Sequence, residues 1–169
     1  MGLLGKLFGG KAQENGFVDT SYSSKIVADI PPFQGDYAKA VFLWAYGKAK
    51  PIKKDNEYVR YLLFECGIRS ASTYHREMIR EGLLQESPLV DRVSALTASK
   101  IKDILIDLGL TVTGKKDILV QRLLGAMSEA DVSKYFPQQT FSLSEIGEAL
   151  LNAHEPYIQL HKHKNWGIS

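Results

Sequence analysis

Five cations fall close together in the chain: Lys100, Lys102, Lys115, Lys116 and Arg122. Only Asp103, Asp107 and Asp117 oppose them in that stretch. Ammonium and guanidinium groups of this kind hold phosphate oxygens. Gly114-Lys115-Lys116 is the focus, because it opens a helical pattern whose free N-terminal amides and dipole already favour an anion. A second set, Thr73, Arg76, Glu77 and Arg80, recurs at i, i+3, i+4 and i+7, one polar side of a helix. On a DNA-reading helix, Thr73, Arg76 and Arg80 would enter a groove, with the arginines on guanine edges or phosphates. The same spacing arises on any amphipathic helix with a solvated, charge-paired side.

Bond-making chemistry finds no such support. Cys66 is the only cysteine, which excludes a disulfide framework and a multi-cysteine zinc site. It precedes a turn glycine, reads as a small buried residue, and has no base beside it to make it a nucleophile. His75 falls on the inner side of its helix, as a core histidine does. His161 and His163 alternate in the tail without an acidic or cysteine partner, which makes a weak metal site. Gly109-x-x-x-x-Gly114-Lys115 begins a P-loop, but Lys116 stands where Ser or Thr must hold magnesium, and no buried strand precedes it. No acid, base and nucleophile assemble, so neither an enzyme nor a cofactor is expected.

The elements around these residues are legible from periodicity. Ile101, Ile104, Leu105 and Leu108 make one stripe of a helix ended by Gly109. Leu110–Thr113 is too short and too β-branched to prolong it. A second helix follows from Gly114, with Leu119, Leu123 and Met127 inward. This segment resembles the SAP domain, a helix-extended-helix DNA-binding module. The landmarks are Leu96, Ile101, Leu105, Gly109-Leu110, then Gly114, Lys116, Leu119 and Arg122-Leu123. The resemblance spans residues 94–128. It implies that Lys100, Lys102, Gly114, Lys115, Lys116 and Arg122 lie against DNA backbone phosphates, contacts that position a protein and carry little sequence information.

Upstream, Asp36–Tyr46 reads as a helix with Asp36 as its N-cap, Glu57–Ile68 as a second closed at Gly67, and Ser70–Glu81 as a third with a Ser/Thr-rich start. The order helix, Gly-Ile turn, capped helix, Gly-Leu-Leu exit is that of a helix-turn-helix. Downstream, residues 129–137 read as a linker, Thr140–Leu143 as a strand, and the following residues as a helix capped by Ser144. That last segment resembles the one after the wing in winged-helix regulators, whose first wing strand would be Leu83–Ser87. The expected fold class is therefore mainly α. A winged-helix-like domain at residues 36–90 and 138–164 would carry a small two-helix SAP-like module inserted at its wing, plus a few short β-strands; the alternative is three small elements in tandem with no shared wing. Residues 1–35 read as a flexible arm with a short strand at Lys25–Ala28, and Tyr157–Lys164 as an edge strand. The arrangement resembles that of bacterial and phage SAP-domain proteins.

Lys plus Arg number 21 against 19 Asp plus Glu in 169 residues, so any nucleic-acid surface must come from local clustering. No apolar run reaches the roughly 18 residues of a membrane span, and Lys6 stands where myristoylation needs Ser or Thr. The reading is a cytoplasmic, non-enzymatic protein whose partner is double-stranded DNA, bound with weak sequence specificity, and not a membrane. The alternatives are a protein-interaction adaptor holding a protein partner, and a self-assembling phage structural component.

Overall fold

A computed structural model describes residues 35–163. The expected arm and the strand at Lys25–Ala28 lie outside the described residues. Within them the chain is mainly helical, with one two-stranded sheet.

Helix α1 (Asp36–Tyr46) is central, with Tyr37, Ala38, Ala40, Val41, Phe42, Leu43 and Tyr46 all buried. So wide a buried surface needs neighbours on several sides, and α1 packs on the last two helices and on the sheet. The Glu57–Ile68 helix expected next is much shorter. A 3-10 turn at Asp55–Glu57 is followed by extended Tyr58 and then by a four-residue α2, Tyr61–Phe64. Two tyrosine hydroxyls accept backbone N–H bonds from the chain ahead of α2. Val59 N–H donates to Tyr46 Oη at 3.2 Å, and Lys53 N–H to Tyr58 Oη at 3.1 Å.

Helix α3 (Ala71–Arg80) starts where Ser70 Oγ accepts from Thr73 N–H at 3.3 Å, a side-chain N-cap. Ala71, His75 and Met78 face inward. His75 is sealed among the rings of Phe42, Tyr46, Tyr58 and Phe141, with Nδ1 3.0 Å from the Tyr58 hydroxyl. Burial, with a smaller contribution from Arg76, pushes its pKa down to about 4, so the ring is neutral at pH 7.

Strand β1 (Leu84–Glu86) pairs antiparallel with β2 (Phe141–Leu143), Leu84 opposite Leu143 and Glu86 opposite Phe141. Lys50 bridges Phe141 on the far side of β2. Residues 87–140 thus leave and rejoin the scaffold at neighbouring points. They contain α4 (Leu89–Ser94), α5 (Ala98–Asp107), α6 (Lys116–Ala126) and α7 (Glu129–Tyr135). Helix α7 occupies the expected linker; Ser128 and Asp131 start it with a reciprocal capping box.

Ser144 caps α8 (Glu145–Ala153) by accepting from Gly147 N–H at 3.1 Å. Gly147 lies so close to β1 that an added Cβ would overlap the Leu83 carbonyl oxygen. The expected edge strand at Tyr157–Lys164 is instead helix α9 (Glu155–His163). Alternation misled because Ile158 and His161 share a buried side at i, i+3, while Pro156 sits in the first turn, where its missing N–H costs nothing. His161 packs on Tyr61 and Trp44, with Nδ1 3.3 Å from the buried Glu65 carboxylate; the Tyr37 hydroxyl donates to that carboxylate.

Candidate nucleic-acid interface

The segment between the two strands builds its own core from Val93, Ile101, Ile104, Leu105, Leu119, Val120 and Leu123. Thr97 caps α5 by accepting from Lys100 N–H at 3.2 Å. Tyr135 and Phe136, at the end of α7, pack on the same core, as does Leu89 of α4. The compact unit is therefore larger than residues 94–128. Its closing contacts, Arg92 on the Phe136 carbonyl and Asp107 with Lys134 and Tyr135, were not read from sequence. The Ser128-x-x-Asp131 capping pattern was the available signal for α7.

The extended link ends at Gly114, with φ +123°, a region that L side chains rarely adopt. An added Cβ there would also press to 3.1 Å on the Ile118 side chain. Lys115 is the N-cap of α6 and supplies no side-chain acceptor to the first-turn amides. Those amides, the helix dipole and the exposed Lys115 together form a positive end, with Asp117 the one acidic residue of that turn.

The other expected phosphate ligands fall into two groups. Lys116 Nζ donates to the Ser94 carbonyl at 2.7 Å, tying α6 to the end of α4. Arg122 Nη1 donates to the carbonyls of Thr111 at 2.7 Å and Thr113 at 2.9 Å, bracing the link. Both cations are thus engaged within the fold. Lys100 and Lys102 are exposed but flank the buried Ile101, so they leave α5 on opposite sides and do not both belong to one surface.

On the scaffold, Thr73, Arg76 and Arg80 are all exposed, on the side of α3 away from Ala71, His75 and Met78. Among the described residues Arg80 has one ion pair, a 4.0 Å contact with Glu77. Cys66 and His75 are buried. No group of three His, Cys, Asp or Glu side chains converges among the described residues, and no described helix is long and apolar enough to cross a membrane.

Against protein families, residues 92–127 match the SAP domain. The match runs from the last turn of α4 through α5 and α6; α7 lies beyond it. Searches of curated proteins and of solved structures returned no significant match.

Proposed function

We propose that the chain is a non-enzymatic DNA-binding protein, of the kind found among bacterial and phage SAP-domain proteins, acting in the cytoplasm on double-stranded DNA. A SAP domain is a DNA-binding module, and residues 92–127 are one by sequence. The observation that carries the reading is the α6 N-terminus. Gly114 turns the chain there, and Lys115 stands exposed at a helix start without a side-chain cap. That combination presents amides and an ammonium group to one phosphate. Lys116 and Arg122 then act mainly by holding this end in place, and either Lys100 or Lys102 adds a second contact.

In the same reading α1, α2, α3 and the ladder are a winged-helix-like scaffold with the SAP module in its wing. What supports it is the order across the sheet: Lys50 bridges β2, which pairs with β1, immediately after three helices. Thr73, Arg76 and Arg80 on α3 then face a groove or its phosphates.

The test is fluorescence anisotropy with a labelled duplex of roughly 25 base pairs over a range of salt. Binding that weakens steeply with salt, and that Lys115→Glu reduces severalfold in a folded protein, is expected. Salt-insensitive behaviour, or no binding at low salt, would favour a protein partner.

A further inference from the structure

The stretch from Gly47 to Asp55 carries Lys48, Lys50, Lys53 and Lys54, all exposed. Among the described residues none of the four is in an ion pair. Long cationic side chains on a free loop lose much entropy on binding; these stand on a pinned backbone. Leu143 N–H donates to the Gly47 carbonyl at 3.0 Å, and Ala49 N–H to Ser142 Oγ at 3.2 Å. Lys50 and Phe141 exchange both backbone hydrogen bonds, at 3.0 and 2.9 Å. Lys53 and Lys54 N–H groups are fixed on Tyr58 Oη and Glu57 Oε2. Ala49, at φ 47°, is the one non-glycine in the left-handed region among the described residues, a strain the surrounding bonds must hold.

The stretch is also joined to α3. Asp55 accepts from Ser72 N–H at 2.7 Å and from Ser70 Oγ at 3.0 Å, which turns its carboxylate back onto the helix start. Those hydrogen bonds, Ser72 foremost, keep its carboxyl below the usual range, and the charge of the nearby Arg76 helps. Glu57 is likewise turned back, onto Lys54 N–H. Lys48 differs from the others, because it borders a cleft shared with Asp91 and Glu148.

We infer that Lys50, Lys53 and Lys54, continuing into Arg76, form a second surface for the phosphate backbone of duplex DNA, carried by the scaffold and not by the SAP module. The inference rests on the DNA-binding reading above and names a further site for it. A duplex presents about one charge per 1.7 Å of axis, so exposed cations clustered on a pinned stretch of backbone meet several phosphates at once. Two such surfaces on one chain raise affinity without either being tight, provided both engage together.

The test uses the full chain, a labelled duplex of roughly 25 base pairs, and the slope of log affinity against log salt. Lys53→Gln/Lys54→Gln is compared with Lys48→Gln and with Lys115→Gln, each checked for an unchanged melting curve. The expected result is a slope shallower by about 2 for the double variant, from roughly 0.9 per lost phosphate contact, with no change for Lys48→Gln. An unaltered slope in the double variant, or an equal per-charge effect from Lys48→Gln, overturns the inference. If only Lys115→Gln weakens binding, the module reading stands and this surface falls. If only the lysine pair matters, the surface stands and the module reading falls. No binding by the wild type at low salt overturns both, and tighter binding of single-stranded RNA overturns the duplex assignment.

Discussion

Arg92 of α4 reaches across to the end of α7, where its guanidinium donates to the Phe136 carbonyl and, at 3.2 Å, to that of Gln138. It also stands 5.2 Å over the Phe136 ring. One side chain therefore clips together the two ends of the inserted unit. Arg92→Ala leaves those carbonyls without their charged donor, and a loss of about 1–3 kcal/mol is expected. Hydrogen exchange should locate the loss in residues 89–136 while α1 and α3 stay protected.

Arg122 gives a prediction about binding as well as stability. Its guanidinium is committed to Thr111 and Thr113, so it orders the link that ends at Gly114. Arg122→Gln should weaken DNA binding severalfold while the salt slope stays unchanged, because the cations that meet phosphate are still present. A direct phosphate contact would instead make the slope shallower by roughly 0.9. Anisotropy titrations at several salt concentrations separate the two outcomes.

Two glycines should respond oppositely to the same substitution. Gly125 lies in the last turn of α6 with open space around its Cα, so Gly125→Ala should stabilise by up to about 0.5 kcal/mol through helix propensity. Gly147→Ala drives a methyl into the Leu83 carbonyl oxygen and must push α8 off β1. A loss of at least 1–3 kcal/mol is expected there. Chemical denaturation of both variants beside the wild type checks the signs.

His75 sets an acid limit. Its folded pKa of about 4 lies below the unfolded value of about 6.5, so the unfolded chain takes up the proton first. The stability that rests on a neutral His75 is present in full above pH 6.5. It declines as pH falls through that window and is lost by about pH 4, to an extent of up to roughly 3 kcal/mol. Urea melts between pH 7 and 4 should show this slope, and His75→Phe should flatten it.

Elements governed by nearby residues were legible in the sequence. The apolar spacing of Asp36–Tyr46 matches α1, although Gly35 and not Asp36 is its N-cap; Ser70, in the expected Ser/Thr-rich start, and Ser144 cap the helices that follow them. Strand positions 84–86 and 141–143 fall within the expected segments. What escaped depends on distant partners. The extended Tyr58 and the short α2 sit where tertiary contacts such as Val59 N–H on the Tyr46 hydroxyl hold the chain, and nothing local announces them. The tail is helical because Ile158 and His161 must face α1 and α2 together, an arrangement that alternation alone imitates as a strand. In the candidate site the basic residue types were visible, but their engagement was not. Arg122 and Lys116 look like free cations until the carbonyls of Thr111, Thr113 and Ser94 are placed beside them.

The pairing of β1 with β2 has a consequence for the order of assembly. Leu84 and Leu143 are partners only after the intervening chain has brought its ends together, and an unstructured loop of that length pays a closure entropy the short ladder cannot easily offset. Collapse of α4 to α7 on local contacts, with Arg92 clipping its exits, removes most of that cost beforehand. The folded inserted unit thus works as a rigid tether, holding the β2 end of the chain beside β1 where a slack loop of the same length would let it wander.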